Sequence, residues 1–176
     1  MTAAAVLLAA CSNAESGSPV STSAALDTSS TSSDRGEVAL GAIDPCSLLE
    51  PAELSRVGDF EQGVEGLRRD GSRECHWTGV RQTAHQGDVP GIYLVVRGDS
   101  GLDEFGDIGS GVRTGTTEAT GRRIKQTRNE DGCIVGLAVG VGGRVDAIAT
   151  QAGPERSCDM ANELAEIVDP KIPEGE

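Results

Sequence analysis

The sequence predicts an α+β fold: an antiparallel sheet with a short N-terminal helix and a C-terminal helix, cross-linked by two disulfides. Three observations predict it. In "CIVGLAVGVGGRVDAIATQ", Cys133, Val135, Leu137 and Val139 alternate with their neighbours, and Val145, Ala147 and Ala149 do so on the return, which is the period of a hairpin with one buried face. Beyond it, Cys158, Ala161, Leu164, Ala165 and Val168 recur at helical spacing and form a single apolar stripe. Once Cys11 is set aside, the remaining cysteines, Cys46, Cys75, Cys133 and Cys158, form an even set.

In chain order, the first element is not part of the fold. Ala3 to Leu8 is an apolar run ending in small residues, and Leu8-Ala9-Ala10-Cys11 has the pattern of a bacterial lipoprotein signal, in which the cysteine thiol takes a diacylglyceryl group. Residues 1–10 are therefore expected to be a signal peptide and Cys11 a lipidation site. Met1 to Ala10 holds neither Lys nor Arg, so the signal is expected to be truncated at its N-terminus. The run is also far short of the roughly 18 apolar residues that a membrane-spanning helix needs. Ser, Thr, Ala and Gly dominate the stretch after Cys11, with no aromatic residue and no period, so residues 11–36 are expected to be a lipid-anchored flexible linker. Residues 37–173 then form a single folded domain of ordinary size.

Within that domain, Asp44-Pro45 predicts a helix start, with Asp44 as the cap. Pro51 restarts a short helix through Leu54 and Val57 that Gly58 ends. Arg73 to Val80 reads as a strand with Cys75 and Trp77 on one face and His76 on the other. "GIYLVVR" over Gly91 to Arg97 is nearly all apolar and therefore a central strand. Arg122 to Thr127 is a further strand. The hairpin places both apolar sets on one face only if its loop is odd in length, for instance Val141 to Gly143, which puts Cys133 opposite Gln151. Ser157 is expected to cap the last helix.

The helix opens a short loop beyond Gln151, so Cys158 can return to Cys133, which leaves Cys46 for Cys75. Each bond closes a loop of roughly 25–30 residues, worth about 3–4 kcal/mol in the chain-entropy account. The alternative pairs Cys75 with Cys133 and Cys46 with Cys158. Metal binding is disfavoured because no C-x-x-C occurs and His76 and His85 lack zinc-like spacing.

"DPCSLLEPAEL" at Asp44 to Leu54, "CHW" at Cys75 to Trp77, the strand opening with Cys133, and "CDMANELA" at Cys158 to Ala165 together resemble DUF3558, a family of actinobacterial lipoproteins. The resemblance spans essentially the whole folded region. It implies an acylated surface protein with paired cysteines and carries no activity with it.

No catalytic constellation is legible. Cys75 and His76 are strand neighbours on opposite faces, so the imidazole cannot act on the thiol. Gly109-Ser110-Gly111 lacks the strand-then-helix setting of a nucleophile elbow or phosphate loop, and Gly106 to Gly115 reads as a flexible turn. Asp103-Glu104 and Glu130-Asp131 lack the alternating oxygen ligands of a calcium loop. Neither a metal nor a cofactor is expected.

The formal charge of −13 disfavours nucleic acid as a partner and holds anionic headgroups off the domain. Two basic clusters, Arg68-Arg69 with Arg73 and Arg122-Arg123-Lys125, read as solvated strand ends, with contact to an anionic glycan or lipid as the alternative. The expected function is that of a cell-surface lipoprotein, extracytoplasmic and held to the membrane through diacylglycerol at Cys11. Its domain would be a non-enzymatic module that binds an envelope protein or ligand. An envelope enzyme, hydrolase-like and with a dispersed site, is the alternative.

Overall fold

The computed structural model describes residues 40–84 and 87–173. The predicted signal peptide, Cys11, the linker over 11–36, the domain residues 37–39 and His85 lie outside the described residues.

Seven strands form one antiparallel sheet: β1 (Val64–Leu67), β2 (Arg73–Thr78), β3 (Gly91–Arg97), β4 (Arg113–Thr116), β5 (Arg123–Arg128), β6 (Gly132–Val139) and β7 (Gly143–Thr150). They lie in the order β1-β2-β3-β7-β6-β5-β4. The most apolar runs, β3, β7 and β6, take the centre, where both edges are hydrogen-bonded and both faces are largely covered. Helices α1 (Pro51–Val57) and α2 (Pro154–Val168) pack with the sheet. Alternation turns Ile92, Leu94, Val135, Leu137, Val145 and Ala147 toward the helices, and α2 lays Ala161, Leu164 and Val168 over β6 and β7. Each Leu or Ile buried there contributes about 1.5–3 kcal/mol. Cys46 is bonded to Cys75, with Cα atoms 5.0 Å apart, and Cys133 to Cys158, with Cα atoms 4.9 Å apart.

The opposite face is covered in part by the segment between β3 and β4. Its Phe105 ring lies against Gly136, where an added Cβ would sit 2.8 Å from two ring carbons, and the Arg144 guanidinium lies 5.6 Å from the ring centroid. Asp146 receives two guanidinium groups here, Arg97 Nε at 2.6 Å and Arg144 Nε at 2.7 Å. Such a buried carboxylate is tolerable only because it is charge-compensated and hydrogen-bonded.

Several expectations are corrected. Asp44-Pro45 opens a turn rather than a helix: Asp44 Oδ1 accepts the Cys46 N–H at 2.9 Å and the Asp44 carbonyl accepts the Ser47 N–H at 3.1 Å. Pro51 forces Glu50 into extended backbone (ψ 152°), leaving too little chain before it for a helix. The hairpin loop is odd but lies one residue earlier, over Gly140 to Gly142, because Gly140 adopts φ 58° without a side-chain penalty. Cys133 consequently pairs with Ala149, not Gln151. Helix α2 begins at Pro154, whose ring presets the first helical φ, so Ser157 lies buried inside the helix and caps nothing. Strand β2 stops at Thr78, and β5 runs one residue later than expected. The edge strands β1 and β4 are additional, and β4 takes Arg113 to Gly115 out of the predicted turn.

Candidate functional site

The site is built from three elements. Alternation along β5 puts Gln126 and Arg128 on the helix-facing side, opposite Val135 and Cys133 of β6. Arg113 of β4 pairs in register with Gln126. On α2, Glu155, Cys158, Asp159 and Asn162 follow the i, i+3, i+4, i+7 spacing of a single helix face. With the Ser110-Gly111 turn, these residues line a cavity of about 370 Å³.

Three connections hold its walls. The Cys133–Cys158 disulfide ties the helix to β6 beside Arg128. Gln126 Nε2 donates to Asn162 Oδ1 at 2.8 Å, bridging strand and helix. Asp107 Oδ1 accepts the N–H groups of Gly109 and Gly111 at 2.8 and 2.9 Å and the Thr127 hydroxyl at 3.0 Å, fixing the turn to β5. Those bonds, the Gly109 N–H foremost, hold the Asp107 carboxyl below the usual carboxylate range.

The charged residues of the cavity are uncommitted. Among the described residues, Arg113, Arg128, Glu155 and Asp159 form no side-chain hydrogen bond or ion pair. Guanidinium groups come from the strands and carboxylates from the helix, with the cavity between them.

A second concavity, a groove of about 650 Å³, is more apolar and lies where α1 meets the end of β2, lined by Leu49, Leu54, Phe60, Trp77 and Val80. The acidic residues Asp59 and Glu61 also line it.

The other shifted ionisable groups hold the fold together. Asp70 is held below the usual range by the Ser72 N–H and the Arg97 guanidinium. Burial raises Asp169, but hydrogen bonds from Thr117, Arg122 and Thr120 outweigh it and leave its carboxyl below the usual range. Glu53 follows the same balance through Lys171, which also donates to the Leu48 carbonyl at 3.0 Å and so binds α1 to the end of α2. Arg97 is desolvated, yet Asp146 and Asp70 raise it above its ordinary value.

The residues singled out from sequence are dispersed. Cys75 is buried in its disulfide, while His76 lies on the opposite face stacked on Tyr93, ring centroids 5.8 Å apart. Asp44, Cys46 and Glu65 bring ligand-type atoms within 4.8 Å of one another. The Cys46 sulfur is bonded to Cys75, however, so no thiolate donor remains there. Neither basic cluster is wholly a solvated strand end. Arg68 pairs with Glu74 at 3.2 Å, Arg73 donates to the carbonyls of Leu40 and Gly41 at 2.9 and 3.0 Å, and Arg122 is buried against Asp169. The charged and amide residues of the cavity carry no local signal of their own in the sequence. Their signal lay in the disulfide, which brings Arg128, the register neighbour of Cys133, to the same cavity as Glu155 and Asp159 of the helix that carries Cys158.

No helix among the described residues is long and apolar enough to cross a membrane. No curated protein and no solved structure matches the chain. A family model described as "protein of unknown function (DUF3558)" matches residues 6–171, nearly the whole chain, and the chain belongs to that family.

Proposed function

We propose that this chain is a cell-surface lipoprotein, anchored through diacylglycerol on Cys11, whose domain is a non-enzymatic binding module of the cell envelope. The observation that carries the reading is the charged cavity. Its arginines and carboxylates make no intramolecular pair, whereas the buried carboxylates Asp146 and Asp169 do. Polar groups poised on a braced frame without internal partners suit a ligand that supplies the missing ones. Two further features support the location: the Leu8 to Cys11 pattern with its polar tail, and paired cysteines that belong in an oxidising compartment.

The test incubates the full chain carrying Cys11→Ser, immobilised, with solubilised wall and membrane fragments, and follows both retention and chemical change. The expected result is saturable retention of a component that elutes unchanged. Turnover of a wall substrate without retention of any component would overturn the reading in favour of an envelope enzyme.

A further inference from the structure

We propose that the cavity between α2 and β4–β5 binds a small zwitterion of dipeptide size, its carboxylate held by Arg113 and Arg128 and its ammonium by Glu155 and Asp159. The inference rests on the binding-module reading above and narrows it to a ligand class.

Charge comes first. The chain as a whole carries −13, but the cavity contributes Arg113 and Arg128 against Glu155 and Asp159 and is locally balanced. A simple anion would leave the carboxylates unpaired, and a simple cation would leave the guanidinium groups unpaired. A ligand bearing both signs satisfies both walls, and guanidinium groups suit a carboxylate because their donors match its two oxygens.

The same cavity is lined by an amide pair. Gln126 Nε2 donates to Asn162 Oδ1, which leaves Gln126 Oε1 as an acceptor and Asn162 Nδ2 as a donor. A peptide group presents the complementary N–H and C=O. Size agrees: about 370 Å³ is at the small end of ligand pockets and adequate for two residues.

Calorimetric titration of the full chain carrying Cys11→Ser with alanyl-alanine, in its L,L and D,D forms, tests the proposal. N-acetyl-alanyl-alanine and alanyl-alanine amide are the controls. Each cap removes one charged contact and is expected to weaken binding roughly ten- to hundredfold. In R113Q/R128Q the difference between dipeptide and amide should vanish; in E155Q/D159N the difference between free and acetylated dipeptide should vanish. All variants are first shown to unfold with the wild-type urea midpoint. Equal binding of free and capped forms, or binding of none of them by the folded wild type, overturns the proposal. If envelope components are still retained by the combined variant R113Q/R128Q/E155Q/D159N, the site assignment fails while the binding-module reading stands; if nothing is retained by wild type either, both fail.

Discussion

Arg122 Nε lies 2.6 Å from Asp169 Oδ1, with side-chain exposures of 8% and 0%. The same guanidinium donates to the carbonyls of Ala138 and Ile172, each at 2.8 Å, while Thr120 donates its hydroxyl to the Asp169 carboxylate at 2.8 Å. One buried pair thus joins the start of β5, the end of β6 and the turn after α2.

Removing either partner should be costly, because it leaves the other charge buried and uncompensated. Asp169→Ala is expected to lose about 3–5 kcal/mol of stability, read as a fall in urea midpoint at unchanged slope. Replacing both residues with apolar ones of similar volume should recover much of that loss.

Acid should weaken the domain in a defined direction. Asp169, Asp70, Asp107 and Glu53 all have carboxyls held below their ordinary range in the folded state. As pH falls below about 4, the unfolded chain takes up protons that the folded chain does not, so stability drops, and it levels off above about pH 5. Urea midpoints measured across that range check this. Arg122→Met should flatten the acid limb by removing one source of the Asp169 shift.

Gly136→Ala should cost about 1–3 kcal/mol, since its Cβ would meet the Phe105 ring at 2.8 Å in a packed layer. Gly142→Ala, where no atom lies within 4 Å of the added Cβ, is the matched control. Thermal unfolding separates the two.

The disulfides should separate stability from binding. Each closes a loop, of 29 residues for Cys46–Cys75 and 25 for Cys133–Cys158, and losing either should cost about 2–5 kcal/mol. Only Cys133–Cys158 braces the charged cavity, so its Ser variant should also weaken ligand retention, whereas Cys46→Ser with Cys75→Ser should leave retention intact at temperatures where both variants are folded.

What the sequence discloses follows burial. Strands β3, β6 and β7 and the stripe of α2 are legible because one-sided burial writes a period into the sequence and two-sided burial a continuous apolar run. Strand β4, "RTGT", is exposed at every position and carries no period; only its pairing with β5 makes it a strand. Asp169 lies 47 residues from Arg122, so no local pattern could show that this arginine is buried. The cavity is hidden for the same reason: its charged residues come from three separate segments and look individually like solvated side chains.

Tethering of the domain outside the cytoplasm, as proposed, hinges on Cys11. Intact mass and membrane fractionation of the chain expressed from its native upstream region, compared with Cys11→Ser, is the decisive measurement. A diacylglyceryl mass and membrane sedimentation are expected for the wild type alone, with Cys46, Cys75, Cys133 and Cys158 oxidised. Both forms soluble, unmodified and reduced would contradict that tethering.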